Sequence, residues 1–164
     1  MRALAWAAVL AASVASSALA DEALVGPLKP LAFMVGDWRS AGENSGAGAG
    51  GVSRLHADLG GRIMVRRDHV QIRSGGSFDI YMLVYPDGDH VSADFIDTEG
   101  HTIHYGVANG PGASVVFASP GSPTAPGFRL SYVSLAPNRL HIRFEIAPPG
   151  GGYKTYTEGD VVRQ

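Results

Sequence analysis

The chain of 164 residues has no cysteine. Disulfides, thiolate metal ligands, thiol nucleophiles and a lipidated N-terminal Cys are thereby excluded. It also has no basic block: 13 Lys and Arg stand against 15 Asp and Glu, a net charge of −2. Neither nucleic acid nor an anionic membrane surface is an expected partner for such a chain. Past the N-terminus no long amphipathic helical pattern occurs. A G-x-S-x-G elbow, an H-E-x-x-H pair, a P-loop and an Asn-x-Ser/Thr acceptor are all missing, so no residue is assigned a catalytic or metal-binding role from a motif.

What is present begins with a leader. Met1-Arg2 is a short positive start, Leu4 to Ala12 is apolar, and Ala18-Leu19-Ala20 is a small-x-small cleavage pattern. Residues 1–20 read as a secretory signal peptide. The mature domain, 21–164, is then expected in the periplasm or outside the cell, away from the membrane once cleaved. Arg2 is the leader's only charged residue, so the mature chain is slightly more acidic than the whole.

Glycine (22) and proline (10) are plentiful and sit mostly between apolar segments, as in a protein of many short strands and tight turns. Pro27 and Pro30 frame a short apolar helix ending at Gly36, and Trp38 to Ala41 begins the first strand. Residues 42–51 read as a loop. Their formal G-x-G-x-x-G (Gly46, Gly48, Gly51) is followed by the strand-like Val52 to Leu59 rather than a helix, which removes the dinucleotide reading. Further strands are expected at 62–72, 78–85, 90–96, 101–108, 113–119, 128–134, 139–147 and 153–163. Short connections demand antiparallel neighbours, and closing on themselves removes the exposed edges. The expected fold is all-β: one antiparallel up-and-down β-barrel of about ten strands with a short N-terminal helix.

Alternation assigns the faces. Leu140, Ile142, Phe144 and Ile146 share one face of their strand, leaving Arg139, His141, Arg143 and Glu145 on the wet one. Phe128, Leu130 and Tyr132 face inward, and His101, Ile103, Tyr105 and Val107 share a face. In 62–72 neither face is purely apolar, so some charge must point into the barrel. In 78–85 both faces are apolar, so a partner chain or the helix is expected to cover the outer one, and self-association stays open. His101 and His104, three apart on a strand, point oppositely and cannot share an ion.

An interior with polar groups among apolar walls suits a small, partly apolar ligand. The residues expected to line it are Tyr81, His101, Tyr105, Tyr132, Arg67 and His69. A rival of another class is a small barrel enzyme of isomerase or cyclase type using His101, Tyr105, Asp94 and His69, since His titrates near neutrality. A third is a structural or interaction protein whose interior is simply filled.

Gly36-Asp37-Trp38, after an apolar helix and before an antiparallel meander, resembles the G-x-W entry of lipocalin-like (calycin) barrels. That resemblance implies that Gly36 and Trp38 close one end and that a basic residue of the last strand, here Arg163, lies over the indole. The mature chain as a whole resembles uncharacterised exported bacterial lipocalin-like proteins, through Leu59 to Arg62, Asp97 to Tyr105 and Phe144 to Gly150. It is similar in outline to nitrobindin-type haem barrels as well. Those continue with Gly-x-Gly-x-Tyr-Pro where this chain has Gly42 to Gly48, and their iron-ligating histidine would fall at best on His141, on the wet face. No cofactor is therefore expected, and a haem-binding, nitrobindin-like barrel is kept as the disfavoured alternative.

Overall fold

The computed structural model describes residues 22–42 and 48–164. The expected leader with its cleavage site and residues 43–47 of the Gly-rich loop lie outside the described residues. The rest is a 3₁₀ helix (Gly26–Met34) followed by ten strands: β1 (Gly36–Ser40), β2 (Gly48–Asp58), β3 (Ile63–Ile72), β4 (Ser77–Asp87), β5 (His90–Asp97), β6 (Thr102–Asn109), β7 (Ser114–Ser119), β8 (Gly127–Ala136), β9 (Arg139–Ala147) and β10 (Lys154–Arg163). Each strand pairs antiparallel with its neighbours in sequence, and β1 pairs with β10. The result is a closed, calycin-like up-and-down barrel. β2 begins at Gly48 rather than at Val52, so Gly48 to Gly51 belong to a strand with a register irregularity at Gly48/Gly50. Strand pairing across those glycines needs no helix, which is why the G-x-G-x-x-G spacing carried no weight.

The helix is 3₁₀ because of its prolines. Pro27 stands at its start and Pro30 inside it, and Pro30 has no N–H to give an α-helical turn. With three residues per turn, Leu28, Leu31 and Met34 fall on one face, and all three are buried. That face enters the barrel at the end where the β2–β3 and β4–β5 turns lie. There Val25 N–H donates to the Gly61 carbonyl at 2.9 Å. Gly61 has a φ of +77°, and a Cβ on it would lie 2.0 Å from the Ala23 carbonyl oxygen, so the approach of this segment requires glycine. The helix packs on inner residues such as Met82 and Val84. It therefore plugs the end of the barrel and does not cover the outer face of β4.

Register fixes which side chains point in, because directly paired residues share a face. Trp38 pairs with Ser53, Ser53 with Asp68, and Asp68 with Ile80. The row below runs Leu55, Arg66, Met82, Phe95, Ile103. At the plugged end Trp38, Tyr105, Phe117, Tyr132, Leu140 and the helix residues are almost wholly buried. Toward the opposite end, the inner-face residues Phe78, Phe95, Phe128, Ile142 and Phe144 are only half-buried. Solvent reaches the inside from that end. The β7–β8 and β9–β10 loops stand beside this mouth, tied by Gly150 N–H donating to the Ser122 carbonyl.

Candidate functional site

Among the described residues, a buried polar cluster is built on the inner face of β3. Arg66 and Asp68 are two residues apart and so share the inner face. Their side chains are 8% and 7% exposed. Arg66 Nε donates to both Asp68 oxygens at 2.9 Å, and its Nη2 also bonds Oδ2. From β2, the Ser53 hydroxyl donates to Asp68 Oδ1 at 2.6 Å. The Arg66 guanidinium also lies 5.7 Å from the centroid of the Tyr132 ring on β8. Phe117 meets the rings of Tyr132 and Tyr105 edge-on, at 6.0 and 6.3 Å.

Two atoms of this cluster are buried without a protein partner: Arg66 Nη1 and Tyr132 Oη. Buried polar groups are nearly always bonded, so unspent donors on a buried cation are a feature to be explained. Burial works against the charge of Arg66, but Asp68 beside it outweighs burial and the group stays a cation. Burial pushes the Tyr132 and Tyr105 hydroxyls well above the usual tyrosine range, with Arg66 opposing. Both phenols are thus neutral O–H groups at ordinary pH.

Of the residues expected to line the interior, the structure brings Tyr105 and Tyr132 inside and leaves the others out. Trp38, Ser53 and Asp68 fix the inward parity of β3, so Arg67 and His69 point outward. Arg67 pairs with Tyr81, so Tyr81 is outward as well. These three line a groove of about 710 Å³ on the outer face, together with Trp38, Ser53, Asp68 and Ile80. Their polar groups are largely engaged there. His69 Nδ1 lies 2.8 Å from an Asp79 oxygen, and the Arg67 guanidinium is 5.4 Å from the Tyr81 ring centroid. On the same face the Arg54 Nε donates to Asp37 at 2.6 Å.

His101 lies in the β5–β6 turn, with Nδ1 2.9 Å from Asp97 Oδ2. Glu99 N–H and His101 N–H donate to Asp97 Oδ1, so the Asp97, Glu99, His101 trio spends its hydrogen bonds closing that turn. Asp94 is on the outer face between His104 Nδ1 (2.8 Å) and the Tyr85 hydroxyl (2.9 Å). The enzyme set of His101, Tyr105, Asp94 and His69 is therefore dispersed over both faces and a turn. His141 lies on the outer face as its alternation requires, 2.7 Å from Asp160.

Sequence reasoning missed Arg66 and Asp68. The available signal was the parity of Trp38 carried across β2 to β3, but that register cannot be counted through the Gly-rich loop. The Arg163 guanidinium lies 4.3 Å from the Trp38 ring centroid. No family model matches the chain, and no curated protein sequence matches it either.

Proposed function

We propose that this is an exported protein that binds a small, partly apolar molecule inside its barrel, entering at the end away from the helix. One observation carries the reading: a fully buried arginine whose Nη1 has no protein partner, beside a buried tyrosine hydroxyl in the same condition. Leaving such groups unbonded costs about 1–3 kcal/mol each, a cost that a ligand acceptor removes. The half-buried Phe95, Phe128, Ile142 and Phe144 supply the apolar walls above it. A small barrel enzyme finds less support, since its histidines lie outside. The resemblance to exported lipocalin-like proteins transfers architecture only, and the leader-like residues 1–20 support a location in the periplasm or the medium.

Native mass spectrometry of the mature protein, purified from its own periplasm or culture medium, tests this. A co-purified mass that dissociates on unfolding is the expected result. A bare polypeptide that also fails to take up any apolar probe would overturn the reading in favour of a filled barrel.

A further inference from the structure

The partners of Arg66 narrow the class of ligand, and this step rests on the interior-binding reading above. We infer that the interior site takes a neutral molecule bearing a carbonyl-type acceptor, held by Arg66 Nη1 and the Tyr132 hydroxyl, in preference to a carboxylate.

Charge accounts for the preference. The guanidinium is already matched by one buried carboxylate, Asp68, and the Ser53 hydroxyl holds that carboxylate in place. The pair is neutral as it stands. A ligand carboxylate would place a second anion against one cation in a largely buried site. An uncompensated buried charge costs more than a hydrogen bond returns. A ketone, aldehyde, ester or amide adds no charge.

The available hydrogen bonds point the same way. Two N–H groups on Nη1 and one phenolic O–H are donors, and the acceptor capacity of Asp68 is committed to Arg66 and Ser53. A carbonyl oxygen has two lone pairs and can receive from both donors. The Tyr132 ring, wedged between Phe117 and the guanidinium, cannot swing its hydroxyl away without breaking both contacts. Beyond the polar pair, Phe95, Phe128, Ile142 and Phe144 offer only apolar surface. The ligand is thus expected to be polar at one end and hydrocarbon or aromatic at the other.

Three probes of one shape separate the possibilities: 2-acetylnaphthalene, 2-naphthoate and 2-methylnaphthalene, measured by equilibrium dialysis against the mature protein and its Tyr132→Phe variant. Tyr132→Phe removes one unpartnered oxygen and leaves the ring packing intact, so it should fold. The acetyl compound should bind about tenfold or more tightly than either of the others, and lose about tenfold in Tyr132→Phe while methylnaphthalene is unchanged. Tightest binding by naphthoate would overturn the neutral class and leave the interior-binding reading standing. Equal binding of all three, or an acetyl affinity that ignores Tyr132→Phe, would overturn the polar site. Binding by none would overturn both.

Discussion

The Arg163 guanidinium sits 4.3 Å from the Trp38 ring centroid, and its Nη1 donates to the Val35 carbonyl at 2.7 Å. The indole N–H itself donates to the Met34 carbonyl at 2.8 Å. Last strand, first strand and helix are thereby joined at one point. Gly36 makes room for it: its φ is +143°, and a Cβ there would lie 2.0 Å from Arg163 Nη1. Arg163→Met should cost about 1–2 kcal/mol through the lost cation–π contact and hydrogen bond. Gly36→Ala should cost about 1–3 kcal/mol, and less in the Arg163→Met background. Urea unfolding followed by fluorescence of Trp38, the only tryptophan among residues 21–164, reads both. Additive costs in the double variant would show that Gly36 and Arg163 act independently.

The Arg66–Asp68 pair gives an asymmetric prediction. Asp68→Ala leaves a buried cation without its counter-charge and should cost about 3–5 kcal/mol. Replacing both, as Arg66→Met with Asp68→Leu, should restore stability to within about 1 kcal/mol of the wild type or exceed it. Chemical denaturation measures each. A double variant as unstable as Asp68→Ala would show that the pair holds the fold together rather than serving a ligand.

The outer face sets the pH dependence. A hydrogen bond from His104, opposed by burial and assisted by Tyr85, holds Asp94 below the usual carboxylate range. His141, opposed by burial and assisted by Arg139, does the same for Asp160. A carboxyl whose pKa is lower folded than unfolded stabilises fully above the unfolded value, about 4. That stabilisation fades as pH falls through the folded value. His101 runs the other way, because Asp97 raises it. Its contribution is full below about pH 6.5 and is lost as pH rises through its folded value. Urea midpoints between pH 2 and 8 should decline at both ends. Asp160→Asn should flatten the acid decline, and His101→Asn the one near neutrality. Unaltered profiles would refute these assignments.

Tyr105 and Tyr132 give an alkaline signature. Their folded values lie well above the ordinary tyrosine range, so the folded state holds these protons more tightly than the unfolded chain does. Stability should therefore fall once pH passes about 10. In an ultraviolet absorbance titration these phenols should ionise only as the barrel opens, and Tyr132→Phe should remove one of the late protons. Smooth ionisation of every tyrosine in a folded barrel would contradict their burial.

Much of the architecture was readable in the residues. The strict alternation of Leu140, Ile142, Phe144 and Ile146 against Arg139, His141 and Arg143 needs only period two to assign both faces of β9. Turn residues such as Pro86-Asp87-Gly88 mark where strands end. The site was less readable because its strand is ambiguous: in β3, Met64 and Val70 favour one parity while Ile63 and Val65 favour the other. Only pairing to Ser53 and Leu55 resolves it, and pairing is a property of the closed sheet. The same holds for Tyr81 on β4. It is apolar enough to read as interior, yet the Arg67 guanidinium shelters its ring outside. His101 was lost to a boundary, since β6 begins one residue later, at Thr102.

The closing of β1 against β10 carries a consequence for how the protein is made. Arg163 and the Val35 carbonyl that it bonds are separated by 128 positions. β1 keeps one edge unpaired until β10 has been synthesised. Strands β2 to β9 each find both partners nearby in sequence. The meander from β2 to β9 can assemble as the chain lengthens, while ring closure waits for β10 and meets the full loop-closure entropy in one late step. A chain shortened by its last few residues would keep nearly all of its hairpins and still have two open edges, the state most prone to pair with a neighbour's strands.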